Sequence, residues 1–327
     1  MHKVVRCHEY GSPDVLRVDT VPTRKPGPGE IRVRLHACAV NFPDILSCAG
    51  TYQDKPKFPF SPGRESAGQI IDCADDITEF IPGDRVMLWC ASDHDGYAEE
   101  VTLPAKCAFP MPKSMNYVEA AGFMLVYGTA WHGLVDCGRL NSGEVVAVHG
   151  AAGGVGMAAV QVAKALGAKV IASAGNDDKL DIVASQGADY LINYNKDNTR
   201  QRMKEITNGR GVDIVFDTVG GDLMKSSISA IAFEGRILIV GFTSGEHIKA
   251  PTNIILVKWA SLIAVRFGQF SRKYADRTQS NHNKLLKLYD EGKLNPYVGK
   301  TYPLNRAADA LKALQRREIT GKVILTT

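Results

Sequence analysis

From about residue 144 the chain repeats one rhythm, a short apolar run followed by a turn and a helical segment. The apolar runs cover 145–149, 169–174, 190–192, 212–216 and 236–240. The helical patterns between them cover 157–166, 178–185, 199–207 and 223–232. Strands that alternate with helices build a parallel sheet from βαβ units. Helices cover both faces of such a sheet, so its strands read as continuous apolar runs rather than as alternating ones. This part of the chain is therefore expected to be a doubly wound α/β domain.

The first 122 residues read differently. Short strands at 30–40, 65–73, 84–90 and 97–102 are separated by turn signals such as Gly27-Pro28-Gly29-Glu30 and Ile81-Pro82-Gly83-Asp84, which suggests a compact antiparallel β domain. After about 270 come an amphipathic stretch at 283–289, a helix at 306–316 and a last strand at 322–325. That strand has no βα partner after it, so the tail is expected to return to the first domain. The expected domains are 1–122 together with 270–327, and 123–269.

A chain of 327 residues with 45% hydrophobic residues can bury two such cores. The net charge of +4 is spread along the chain without a basic tail, so neither nucleic acid nor an anionic membrane is an expected partner. No run approaches the ~20 apolar residues of a spanning helix. The opening Met1-His2-Lys3-Val4-Val5-Arg6 reads as a strand rather than a signal or transit peptide, and the expected location is cytoplasmic, or mitochondrial if a presequence has been removed. Seven cysteines, at 7, 38, 48, 73, 90, 107 and 137, stand at least ten residues apart. That spacing offers neither a disulfide framework nor a four-cysteine zinc lobe.

The strongest local signal is Val148-His149-Gly150-Ala151-Ala152-Gly153-Gly154-Val155-Gly156, between an expected strand and an expected helix. A dinucleotide site requires that context. Ala151 stands where a strict G-x-G-x-x-G would have its first glycine. Gly153 would let the backbone approach a pyrophosphate, and Gly156 would let the helix pack closely on the sheet. The first-turn N–H groups near Gly154 and Val155 would meet the phosphates, aided by the helix dipole. At the end of the second strand, an NAD site usually carries an acid for the ribose 2′-hydroxyl. Here the segment is Ser173-Ala174-Gly175-Asn176, small and neutral, with Lys179 within reach of a 2′-phosphate. Asp177 and Asp178 are read as first-turn acids that favour the helix dipole. NADPH is thus expected rather than NADH.

The segment from Gly143-Glu144 through the glycine turn to Gln161 and Lys164 resembles the signature of the quinone oxidoreductase and ζ-crystallin branch of the medium-chain dehydrogenase/reductase family, with Ala147 where leucine is usual. Similar motifs run along the chain in the family order: Glu9-Tyr10-Gly11-Ser12-Pro13-Asp14-Val15-Leu16, Val40-Asn41-Phe42-Pro43-Asp44, Gly50-Thr51-Tyr52, Pro62-Gly63-Arg64-Glu65, Ile192-Asn193-Tyr194, Asp217-Thr218-Val219-Gly220 and Thr320-Gly321-Lys322-Val323-Ile324. The resemblance implies a GroES-like β-barrel domain, a Rossmann domain, a cofactor in the cleft between them, and a homodimer formed through the Rossmann sheets. It puts Asn41, Asp44 and Tyr52 beside nicotinamide and substrate, and Thr129 near the nicotinamide. It puts Gly153, Gly154 and Val155 at the pyrophosphate, and Gly175, Lys179 and Tyr194 around the 2′-phosphate. Val219, Gly241 and Phe242 fall along the nicotinamide half, and Lys322 is a further cofactor candidate. For Asn41 the bland alternative is a cap on the helix beginning at Phe42; for Tyr52, a packed surface ring.

Zinc alcohol dehydrogenases of this superfamily carry a Cys ligand in the place of the 41–44 segment and Gly-His-Glu in the place of Gly63-Arg64-Glu65. Arg64 cannot ligate a cation, so no metal is expected. The expected reaction is NADPH-dependent reduction of a small molecule. A quinone is the first choice and an α,β-unsaturated carbonyl or enoyl thioester the second. A non-catalytic, crystallin-like NADPH-binding protein is the alternative of another class. His132 and His149 read as structural, because no carboxylate, Ser or Cys is spaced to act with either.

Overall fold

The computed structural model describes residues 1–89 and 96–327. Cys90, the last residue of the strand expected at 84–90, lies outside the described residues. The chain divides into two units, one made of Met1–Leu125 with Pro296–Thr327, the other of Val126–Asn295.

The second unit holds a six-stranded sheet in the spatial order Tyr190–Asn193, Lys169–Ala174, Val145–His149, Val212–Asp217, Ile231–Ile239, Ser261–Ala264. Every neighbouring pair is parallel. Numbered along the chain, this is the doubly wound order 3-2-1-4-5-6, in which a ligand binds at the carboxyl ends of the strands where the order reverses. That switch point lies between Val145–His149 and Val212–Asp217. Val146, Val148, Ile171 and Val215 are almost wholly buried, as strands covered on both faces require.

Two elements depart from the pattern-based expectation. The helix expected over 223–232 ends at Ala230, because Ile231 pairs with Val212 and opens a strand whose register shifts before Arg236. Glu234, at φ 60°, marks that irregularity. The edge strand Ser261–Ala264 was not legible, since four residues give too little periodicity to read.

Residues 270–295 fall in the second unit, not with the first as expected. The helix there runs over Ala275–Asp290 and buries Thr278, His282 and Leu285. Arg277 and Asn281 reach Asp136 at 3.1 and 2.9 Å. Gln161 binds Asn295 in both directions, donating from Nε2 and accepting from its N–H, each at 2.8 Å. An amphipathic stretch shows that a face is buried, but not against which core.

In the first unit the sheet order is Val298–Pro303, Lys322–Thr326, Glu30–Val40, Glu65–Cys73, Arg85–Trp89, Ala108–Pro110, and Glu100–Pro104 also pairs with Glu30–Val40. The last strand lies antiparallel on Glu30–Val40, with Val323 opposite Val40. This fixes Lys322 beside Asn41. The core under the sheet includes Val33, Leu35, Ile70, Leu88, Leu103 and Leu311. No helix among the described residues is long and apolar enough to cross a membrane.

Candidate active site

The glycine turn follows the strand Val145–His149 at the switch point and ends in the helix Gly154–Ala165. Gly150 takes φ 67°, in the left-handed region that glycine enters at no steric cost. The helix is capped by Gly153, which has no side chain to bind the first-turn N–H groups. The helices Asp177–Ser185 and Thr199–Ile206 differ, since Asn176 and Asn198 accept from first-turn N–H groups there. The donors of Gly154 and Val155 are thus left for another acceptor, and the helix dipole favours an anion. A Cβ on Gly153 would meet only the Gly150 carbonyl at 3.4 Å, so the backbone there is open to close approach. The loop fits a pyrophosphate.

At the end of the second strand, Tyr194 lies over Gly175, whose absent Cβ would sit 2.9 Å from the phenol oxygen. Lys179 stands part-exposed in the first turn of the next helix. Asp177, a first-turn acid by sequence, has specific partners. Its carboxylate accepts from Lys196 Nζ and from Asn193 Nδ2. These hydrogen bonds hold its carboxyl below the usual range, the Lys196 contact contributing most. Lys196, which the sequence reading passed over, thus joins Lys179, Gly175 and Tyr194 at this corner.

On the other side of the switch point, buried Asp217 accepts from the N–H groups of Val219 (2.7 Å) and Gly220 (3.0 Å) and shapes the turn after its strand. Gly241 follows the adjacent strand, where a Cβ would lie 3.3 Å from the Thr218 carbonyl. Phe242 is exposed, its ring edge-on to His247. Gly153 to Gly156, Gly175, Tyr194, Val219, Gly241 and Phe242 therefore all lie at the carboxyl ends of the sheet strands. Thr129 does not; it is buried on the helix Met124–Trp131.

Asn41, Asp44, Tyr52 and Lys322 belong to the first unit. Asp44 accepts from the Asn41 N–H at 2.8 Å, the Tyr97 hydroxyl at 2.8 Å and the Gly63 N–H at 3.3 Å. Burial pushes its carboxyl up, against these hydrogen bonds. Gly63, at φ 97°, presses on the Tyr97 ring so closely that a Cβ would lie 2.6 Å from it. Asp44 therefore ties three chain segments together.

The Asn41 side chain also reaches beyond its helix. Its Oδ1 accepts from Lys322 Nζ at 2.7 Å and its Nδ2 donates to Glu65 Oε1 at 3.2 Å. Lys322 Nζ also donates to Glu65 Oε1 at 2.9 Å, and Glu65 Oε2 accepts from the Leu125 N–H at 2.7 Å. Lys322, a cofactor candidate by sequence, is buried in an ion pair whose side chains are 7% and 1% exposed. Asn41 and Asp44, expected beside the nicotinamide and substrate, both hold buried contacts within the first unit. Tyr52 is part-exposed, with the Arg64 guanidinium 4.5 Å from its ring centre. Such a contact stabilises the pair and orients the ring. Glu65 carried no separate signal in the sequence, since its partner lies 257 residues away.

His149 uses both ring nitrogens, on Ser173 and Ser227, each at 2.7 Å. Burial lowers its affinity for a proton, so it is a neutral structural link. His132 does have a carboxylate and a thiol beside it, Asp136 and Cys137, contrary to the sequence reading. Among the described residues no group of three His, Cys, Asp or Glu could hold a metal ion.

Two family models match the chain, an alcohol dehydrogenase GroES-like domain over residues 27–113 and a zinc-binding dehydrogenase over 154–280. The quinone oxidoreductase-like protein 2 homolog of Nematostella vectensis is 37% identical, over 100% of this chain and 89% of that protein. The crystal structure of Escherichia coli quinone oxidoreductase complexed with NADPH superposes with a TM-score of 0.90 at 29% identity, covering 99% of this chain and 100% of the other. The CurK enoyl reductase superposes with a TM-score of 0.89 at 25% identity, covering 99% of each chain.

Proposed function

We propose that this chain, which belongs to the quinone oxidoreductase branch of the medium-chain dehydrogenase/reductase superfamily, is an NADPH-dependent, zinc-independent reductase of quinones. The uncapped glycine loop at the switch point, opposite a corner bearing Lys179 and Lys196, carries this reading. Gly153, Gly154, Val155 and Gly156 hold the pyrophosphate. Gly175, Tyr194, Lys179 and Lys196 receive the 2′-phosphate, and Val219, Gly241, Phe242 and Thr129 serve the nicotinamide half. The E. coli relative was solved with NADPH, which supports the choice of coenzyme. Asp177 is already committed to Lys196 and Asn193, so it is poorly placed to select a ribose 2′-hydroxyl.

When bound, NADPH supplies the hydride. Tyr52 offers its phenol as the hydrogen-bond donor to the oxyanion that develops on the acceptor, and Arg64 fixes its ring. Asn41 and Asp44 act as positioning residues. Zinc independence rests on the same network. Arg64 supplies no ligand, and Glu65 already holds the Lys322 ammonium, whose charge would repel a metal cation.

Reduction of enoyl thioesters is the second reading, supported by the similarity to the CurK enoyl reductase. Steady-state assay of 9,10-phenanthrenequinone against crotonyl thioesters, each with NADPH and NADH, separates the two. Quinone turnover with NADPH is expected, and a 2′-phosphate held by lysines should favour NADPH over NADH by roughly tenfold or more in kcat/KM. Tyr52→Phe should cost quinone reduction less than about tenfold, because water can protonate a quinone oxygen; a loss of about 100-fold on crotonyl substrates would instead make Tyr52 a proton donor. Crotonyl turnover without quinone turnover would defeat the quinone reading.

A homodimer through the edge strand Ser261–Ala264 is also proposed. Beside that strand Leu256, Val257 and Trp259 are 81%, 75% and 68% exposed, an apolar cluster suited to a partner surface. Sedimentation velocity should give a dimer that Leu256→Glu with Val257→Glu converts to monomer. A monomeric unmodified protein would refute it.

A further inference from the structure

His132–Cys137 is a turn of π-helix, in which the Gly138 N–H donates to the Gly133 carbonyl at 2.7 Å, five residues back. Such turns are rare and concentrate at functional sites. The wide turn brings both the fourth and the fifth residue after His132 back to its ring. Asp136 Oδ2 lies 3.0 Å from His132 Nδ1, and Cys137 Sγ lies 3.6 Å from His132 Nε2. In an ordinary α-helix residues five apart diverge, so only the π turn makes this meeting possible.

The second element packed here fixes the first. Arg277 and Asn281, from the helix Ala275–Asp290, hold the Asp136 carboxylate at 3.1 and 2.9 Å. The Phe270 ring stacks on the imidazole with centroids 4.0 Å apart. With Nδ1–H given to Asp136, Nε2 faces the sulfur and would hold the thiol proton as an imidazolium. The charged groups facing the ring are Asp136 on its own turn and Arg277 across from it. Burial opposes a charge on His132, but its hydrogen bonds to Asp136 and Cys137 outweigh it and raise the imidazole to about 9. Nucleophile, base and orienting carboxylate stand in the order that activates a thiol.

We propose that Cys137 is an activated thiol and a covalent-modification site for carbon electrophiles of the α,β-unsaturated carbonyl class. The thiol proton passes to His132 Nε2, and a sulfur electron pair forms a C–S bond at the β-carbon. The C=C electrons move toward the carbonyl oxygen as an enolate, and the imidazolium returns the proton to the α-carbon. Nothing is oxidised or reduced in the sum, and no coenzyme is needed. Cys73 and Cys107 are part-exposed like Cys137 and serve as internal references; Cys7, Cys38 and Cys48 are buried.

Methyl vinyl ketone, added to the intact protein and followed by peptide mass spectrometry between pH 6 and 8.5, tests this. Cys137 should form its adduct roughly tenfold or more faster than Cys73 and Cys107 at pH 6.5, because the thiolate is the nucleophile. Its rate should change little with pH, whereas an unassisted thiol speeds up about tenfold per unit below its pKa. His132→Gln and Asp136→Asn should bring Cys137 down to the rate of the reference cysteines. If either variant fails to fold, the pH profile of the unmodified protein decides. An unlabelled Cys137, a rate no greater than that of Cys73, or a tenfold rise per pH unit would overturn the proposal.

Discussion

Gly156→Ala is expected to weaken NADPH binding by about 100-fold or more, roughly 2.7 kcal/mol. A Cβ at this position would lie 2.2 Å from the Gly150 carbonyl oxygen and 2.8 Å from Ala151 Cα. Both atoms are backbone and cannot swing away as a side-chain end would. Gly150 has little room to retreat, with its left-handed φ and Thr218 packed against it. The loop must therefore open, which spoils the aim of the Gly154 and Val155 N–H groups and costs stability as overpacking does. Gly153→Ala makes the matching control. Its Cβ would meet only the Gly150 oxygen at 3.4 Å, so folding should be nearly unaffected while the approach to the pyrophosphate is filled. Isothermal titration with NADPH, alongside thermal melts, reads both effects. Binding by Gly156→Ala as tight as that of the unmodified protein would remove the phosphate from this loop.

Lys322→Met is expected to destabilise the first unit by about 3–5 kcal/mol, because it strands the buried Glu65 carboxylate. Among the described residues Glu65 would keep only the Asn41 amide and the Leu125 N–H as donors. For a domain of this size the loss corresponds to a fall in Tm of roughly 10 °C or more. The double variant Lys322→Met with Glu65→Gln should recover much of it, since a buried ion pair replaced as a pair is often nearly neutral. Differential scanning calorimetry of the two single variants and the double variant gives the coupling between the residues. Additive losses would mean that the pair is not coupled and that Lys322 is free for another role.

Much of the architecture was legible because it is written in local periodicity. Continuous apolar runs such as Val145–His149 and Lys169–Ala174 correspond to strands at the same bounds. The glycine turn was legible for a similar reason, since each glycine answers a steric demand within a few residues. The second boundary between units was misjudged, because the helix Ala275–Asp290 could bury its apolar face on either core. Sequence spacing could not show that strand pairing of Val323 with Val40 delivers Lys322 to Glu65 and Asn41.

The sequence alone determined the alternation of strands and helices over 145–240 and the glycine turn that follows its first strand, since covalent neighbours settle these through period and backbone sterics. Only the tertiary structure decided which buried groups meet. Lys322 finds Glu65 across 257 residues, and His132 meets Cys137 only because one turn of helix is wound wider than side-chain spacing can reveal.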